Sequence, residues 1–122
     1  ITIEQVEYAL ELTINAGLDT RSTIILGDSI ESPESAHRTI NWWKAHKHRS
    51  AIDLGMIIAF PGSTLYQRAR KEGKIPDPHR FLHDGCPIIN LSSRMSNEEY
   101  VALTKEVEEL SGIPFHPKCY TN

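Results

Sequence analysis

The sequence predicts an α/β fold of βα repeats with parallel strands, equivalent to half of a TIM-like barrel. Two patterns and one count predict it. Apolar, β-branched runs alternate with stretches of helical periodicity along the chain. Strand candidates lead into helices rather than hairpin turns, an order that demands parallel strands with right-handed crossovers. Three strand candidates are too few for a free-standing sheet covered on both faces, whereas eight such units close a barrel. The 122 residues read as a single domain.

The elements follow in order. Thr2 and Gln5 have the spacing of a capping box. Val6, Ala9, Leu10 and Ile14 then form one apolar stripe, and Gly17 supplies a left-handed stop. Thr23, Ile24, Ile25 and Leu26 make a first strand that halts at Gly27. It lacks alternation and is expected to be buried on both faces, as parallel strands are. Ser32 and Pro33 are the cap and first residue of a second helix reaching about residue 45. That helix buries Ala36, Ile40 and Trp43, and leaves Trp42 to pack against a part of the barrel outside this chain. A second strand is expected over 52–60, ended by Pro61 and Gly62, with Ser63 capping a helix over 64–72. Residues 74–87 are rich in Pro, His, Asp and Gly and read as a long loop. A third strand is expected over 87–91, with Asn90 inside it, either bonded to neighbouring backbone or turned into a site. Ser96 and Glu99 form another capping box for a helix over 97–110, which Gly112 and Pro114 terminate.

Composition narrows the function. Thirteen Lys and Arg against sixteen Asp and Glu give a net charge of −3, which argues against nucleic acid as a partner. The longest apolar run, 55–60, is too short to span a membrane. No charged-then-apolar leader opens the sequence, and a cytoplasmic location is expected. The absence of an initial methionine, with a helix starting at once, is read as a piece of a longer protein. Cys86 and Cys119 are expected as free thiols. His46 with His48, and His79 and His83 with Cys86, lack the partners of a zinc site, so no metal site is expected.

Three constellations carry the functional reading. In the first, the strand residue Ile25 precedes a glycine turn at Gly27, with Glu31 just before the helix start at Ser32. The glycine lets backbone approach a ligand, and the helix turns its positive end to the same rim. In the second, Phe60, Pro61 and Gly62 make a strand-end turn before Ser63, Leu65 and Tyr66. In the third, Ile89, Asn90, Leu91 and Ser92 precede Met95-Ser96-Asn97-Glu98-Glu99-Tyr100. Each alone also fits a plain strand-turn-helix junction.

In this order, these segments resemble the radical S-adenosylmethionine enzymes, particularly those with a cobalamin-binding domain. The quoted likeness is Thr23-Ile24-Ile25-Leu26-Gly27, Ser32-Pro33-Glu34, Pro61-Gly62-Ser63 with Leu65-Tyr66, the run Arg70-Lys71-Glu72-Gly73-Lys74-Ile75, and the third constellation. It covers about residues 4 to 110. The resemblance implies the second half of a partial barrel. It places Ile25 and Gly27 at the adenine of S-adenosylmethionine, Glu31 in local positioning, and Phe60, Pro61 and Gly62 near adenine and substrate. The whole enzyme would hold a 4Fe-4S cluster and use S-adenosylmethionine reductively to make a 5′-deoxyadenosyl radical that takes hydrogen from a small-molecule substrate. Oxidative cyclases of tetrapyrrole biosynthesis and cobalamin-dependent methyltransferases look similar.

Two departures bear on this. The family's cluster cysteines follow C-x-x-x-C-x-x-C, whereas Cys86 and Cys119 stand 33 residues apart. The family's Gly-x-Pro-Gly-Glu loop is here Gly27-Asp28-Ser29-Ile30-Glu31. The chain alone is therefore expected to bind no cluster or cofactor and to be inactive, with the missing N-terminal half of the barrel as its natural partner. Exposed sheet edges also predict self-association. The rival reading is a self-contained, non-enzymatic α/β binding module that holds an anion at the helix starts near Ser32 or Ser63.

Overall fold

The computed structural model describes residues 1–120 as a mixed α/β structure. Seven elements follow in order: α1 (Ile3–Asn15), β1 (Arg21–Leu26), α2 (Pro33–His46), β2 (Ala51–Met56), α3 (Thr64–Lys71), α4 (Pro78–His83) and α5 (Asn97–Ser111). β1 and β2 pair in parallel, from Arg21 beside Ala51 to Leu26 beside Met56. Among the described residues they form a two-stranded sheet, with α2 as the crossover.

The helix boundaries follow local chemistry. Thr2 with Gln5 and Ser96 with Glu99 form reciprocal capping boxes. Ser32 forms one with Ser35, and Pro33 opens α2 without wasting a donor. Gly17 and Gly112 follow their helices with φ of 68° and 71°.

The sheet is covered on one face. Leu26, Ile52, Leu54 and Met56 pack with Ala36, Ile40 and Trp43 of α2 and with Tyr100, Leu103 and Val107 of α5. The expectation that β1 is buried on both faces is corrected: burial alternates, and Ile25 is 59% exposed. The opposite face carries Arg21, Thr23 and Ile25 beside Ala51, Asp53 and Gly55, and it is largely open. Nothing among the described residues covers it.

Three further expectations are corrected. The third strand over 87–91 does not form. Its apolar residues are buried by packing rather than pairing: Ile88 enters the sheet core, while Ile89 and Leu91 enter a second cluster. Its backbone is served elsewhere, with Lys118 N–H donating to the Ile88 carbonyl at 3.0 Å. The second strand ends at Met56 rather than at residue 60, because β1 turns away at Gly27 after one last bond, Ile57 N–H to the Leu26 carbonyl at 2.9 Å. The expected long loop over 74–87 contains α4. Asp77 caps it through bonds from the His79 and Arg80 amides, and Phe81 is fully buried beside Tyr66.

The packing of Trp42 also differs from expectation. Its ring stacks on His46 at 4.1 Å, and its indole N–H donates to Glu7 of α1 at 3.0 Å. The expected stripe on α1 is only shallowly used, since no residue of that helix is buried.

Gly27 joins strand end to core. Its φ is 95°, and an added Cβ would lie 3.2 Å from Met56 Cε and 3.3 Å from Tyr100 Cε2. Gly62 has φ of 89° but open space around it. Gly27→Ala is therefore expected to cost about 3 kcal/mol, combining left-handed strain with overpacking. Gly62→Ala should cost about 1 kcal/mol from strain alone. Urea unfolding of both variants checks this, and equal losses would rule out the packing role of Gly27.

Candidate functional site

The expected site residues lie at the end of β1 and in the loops that follow β1 and β2. Ile25 projects onto the open face near the strand end. Gly27 is buried, and its N–H points to the Glu31 carboxylate at 3.4 Å. The other oxygen of Glu31 accepts the Ser35 hydroxyl. Glu31 thus ties the glycine turn to the first turn of α2. Beyond β2, Phe60 is 60% exposed, and Pro61 and Gly62 are exposed beside it. The Phe60 carbonyl accepts both the backbone N–H of Ser63 at 3.1 Å and its hydroxyl at 2.7 Å. Ile30, at 61% exposure, adds another apolar side chain in the loop after β1.

A polar network supports this rim, joining Ser29, Arg68 and Ser93 to residues of the three constellations. Arg68 donates to the Ser29 hydroxyl at 3.1 Å and pairs with Glu72 at 2.7 Å. The Ser29 carbonyl accepts the Ser93 backbone N–H at 3.1 Å, and the Ser92 hydroxyl donates to the Glu31 carbonyl. Lys74 donates to the Ser92 and Asn90 carbonyls at 2.6 and 3.2 Å, and burial lowers its pKa. Asn90 closes the turn it sits in: its amide donates to the Met95 carbonyl at 2.8 Å and its oxygen accepts the Ser92 N–H at 3.0 Å. Of its two open readings, the structure selects the backbone one. No periodicity announces these contacts, since they join residues up to 64 positions apart.

Tyr100 lies beneath the rim, fully buried, and its hydroxyl has no hydrogen-bond partner among the described residues. Burial raises its pKa, so the phenol stays protonated. At the start of α2 the Ser32 hydroxyl accepts the Ser35 N–H, and the Ser35 hydroxyl donates to the Glu31 carboxylate.

Cys86 and Cys119 are free thiols. Among the described residues, no three His, Cys, Asp or Glu side chains converge to hold a metal ion. These two cysteines do not fit the three-thiolate requirement of an iron-sulfur cluster. Ile25, Ile30 and Phe60 are exposed apolar side chains at or after the strand ends. No helix is long and apolar enough to cross a membrane.

No protein-family model, curated protein or solved structure matches the chain. The functional reading rests on the residues and their placement.

Asp84 fastens the C-terminal segment to α4. Lys118 Nζ and the Tyr120 hydroxyl approach its carboxylate at 2.9 and 3.0 Å. These bonds, that of Lys118 first, hold the Asp84 pKa below its ordinary value, while burial and the carboxylate push the Tyr120 phenol up to about 12. A depressed carboxyl pKa stabilises the docked segment above the unfolded value, and that contribution disappears as pH falls through the folded one. Asp84→Asn should therefore speed tryptic cleavage after Lys118 several-fold at neutral pH. An unchanged cleavage rate would show that Asp84 does not hold the segment.

Proposed function

We propose that this chain is the C-terminal portion of a radical S-adenosylmethionine enzyme's barrel, and that its rim contacts the cofactor's adenine. One observation carries the reading. A parallel strand pair has helices over one face, while the other face and the outer edges lack covering strands. Parallel sheets are ordinarily buried on both faces, so this geometry suits one sector of a larger closed sheet. The expected cofactor contacts Ile25, Gly27, Phe60, Pro61 and Gly62 lie at its carboxyl end, where barrels place their ligands.

A groove gives further support. Ile3 and Val6 of α1, Ile24 of β1, and Ser35, Arg38, Thr39 and Trp42 of α2 line about 500 Å³ of mainly apolar space. A further parallel strand beside β1 would fill it. In this reading, the other half of the barrel supplies that strand, the cluster and the remaining cofactor contacts. S-adenosylmethionine supplies radical chemistry when bound in the whole enzyme, with cobalamin as a second cofactor in the most similar members. This chain's own contribution is to pack the adenine ring against Ile25 and Phe60 and to hold the Gly27 turn through Glu31. The anion-binding module has weaker support, because the Glu31 carboxylate stands at the start of α2, and at the start of α3 the Ser63 hydroxyl already accepts the Tyr66 N–H.

Self-association follows for the isolated chain. Two six-residue strands present roughly 20 Å by 10 Å of open sheet, well below the ~800 Å² per partner of a stable complex. Association should therefore be weak and concentration-dependent in light scattering. A clean monomer at every concentration would remove it.

The decisive experiment reads the coding sequence upstream of Ile1. A C-x-x-x-C-x-x-C motif roughly half a barrel earlier is expected, on the order of 100 residues. A start codon immediately before Ile1 would end the radical-enzyme reading. In the whole enzyme, Ile25→Ala should weaken S-adenosylmethionine binding by about tenfold, the order expected from losing one apolar contact, in protein that circular dichroism shows to be folded. Unaltered binding would remove Ile25 from the cofactor site.

A further inference from the structure

Helix α1 is the least anchored part of the fold. None of its residues is buried, and its polar fastenings converge on the end of α2 and the turn beyond it. Trp42 donates its indole N–H to Glu7 Oε1 at 3.0 Å, and His46 Nε2 lies 3.3 Å from that same oxygen. Arg49 reaches Glu11, one turn further along α1, at 3.4 Å. The His46 ring stacks on the Trp42 indole with 15° between planes, and its Nδ1 lies 2.7 Å from the Trp42 carbonyl oxygen.

The proton count at His46 is the important feature. Carbonyl and carboxylate oxygens only accept hydrogen bonds, while a neutral imidazole has one N–H to give. A neutral His46 satisfies one of its two oxygens and turns a lone pair toward the other. The imidazolium has two N–H groups and donates to both. The His46 side chain is 16% exposed, which limits how far water can relieve the mismatch. His37 shows the same pattern toward α5, with the Pro33 carbonyl at 2.7 Å and Glu106 at 3.1 Å. It is 57% exposed, and Lys44 also approaches Glu106 at 3.9 Å, so water and a second cation serve that site. Glu7 is the charged group of α1 within ion-pair distance of His46, and Arg49, the nearby cation, is engaged with Glu11.

We propose that His46 is a proton-operated latch: on taking up a proton from water it bonds Glu7 and the Trp42 carbonyl together and holds α1 against α2. When it loses that proton, α1 loosens. Ile3 and Val6 form one wall of the groove over Ile24, so loosening α1 opens that groove. The latch is independent of the proposed enzymatic reading.

Amide hydrogen exchange on the full 122-residue chain tests it, at about pH 5.5 and about pH 7.5, on either side of imidazole titration. After correction for intrinsic exchange, α1 amides should be about fivefold better protected at the lower pH, on the scale of a partly desolvated cation contact. Amides of β2, whose strand carries no histidine, serve as the internal reference. His46→Gln and Glu7→Gln should each abolish the difference, while His37→Gln should keep it. Equal protection of α1 at both pH values in the wild-type chain would overturn the latch. So would a full pH effect surviving in His46→Gln, or one lost only in His37→Gln.

Discussion

The parallel pairing of β1 and β2 is the constraint on which the rest of the molecule depends. Parallel neighbours cannot be joined by a tight turn, so residues 27–50 must travel back to the start of the sheet, and α2 carries that return. The crossover lays α2 on one face, where Ala36, Ile40 and Trp43 meet Leu26, Ile52, Leu54 and Met56. Trp43 also donates its indole N–H to the Ile52 carbonyl, which ties the helix directly to the strand. α5 completes the cover with Tyr100, Leu103 and Val107.

The same pairing positions the rim. Both strands end together, at Leu26 and Met56, and the chain must leave the sheet there twice. The Gly27 turn leaves no free room for a side chain above Met56 and Tyr100, so the first exit is fitted closely to the core below it. The second exit runs through Phe60 to Ser63 and is shaped mainly by its own backbone bonds. Between the exits, Ser29, Ser92 and Ser93 join the loop after β1 to the segment before α5, with Arg68 and Lys74 reaching in from α3 and the residue run behind it. The rim is therefore a hydrogen-bonded platform carrying exposed apolar side chains.

Much of this was legible in the chain. The capping residues Thr2, Ser32, Ser63 and Ser96 each act over three residues, so their meaning survives in sequence. The core positions Ala36, Ile40 and Trp43 follow from helical spacing. The helix at Phe81 was also encoded, by Asp77 as cap and Pro78 as first residue, but the local density of Pro, His and Gly masked it. Residues 87–91 have the composition of a strand without forming one, for a physical reason. A buried extended run needs apolar side chains whether or not a strand lies beside it, and periodicity cannot report the absence of a partner. Ile88 and Ile89 serve two different clusters from adjacent positions, which imitates the alternation of a strand.

Local chemistry by itself determined the helix caps and the glycine that ends β1, because each depends on residues close together in the chain, and the strand-helix-strand order implied the parallel pairing. Only tertiary structure decided which face of the sheet is covered, that residues 87–91 pack without pairing, that Asn90 serves its own turn, and that Glu7 meets Trp42 and His46. Those outcomes depend on groups tens of residues apart, whose meeting is fixed by the packing of whole elements. A strand's sequence records how apolar its two faces are, but not whether a neighbour is there to cover them.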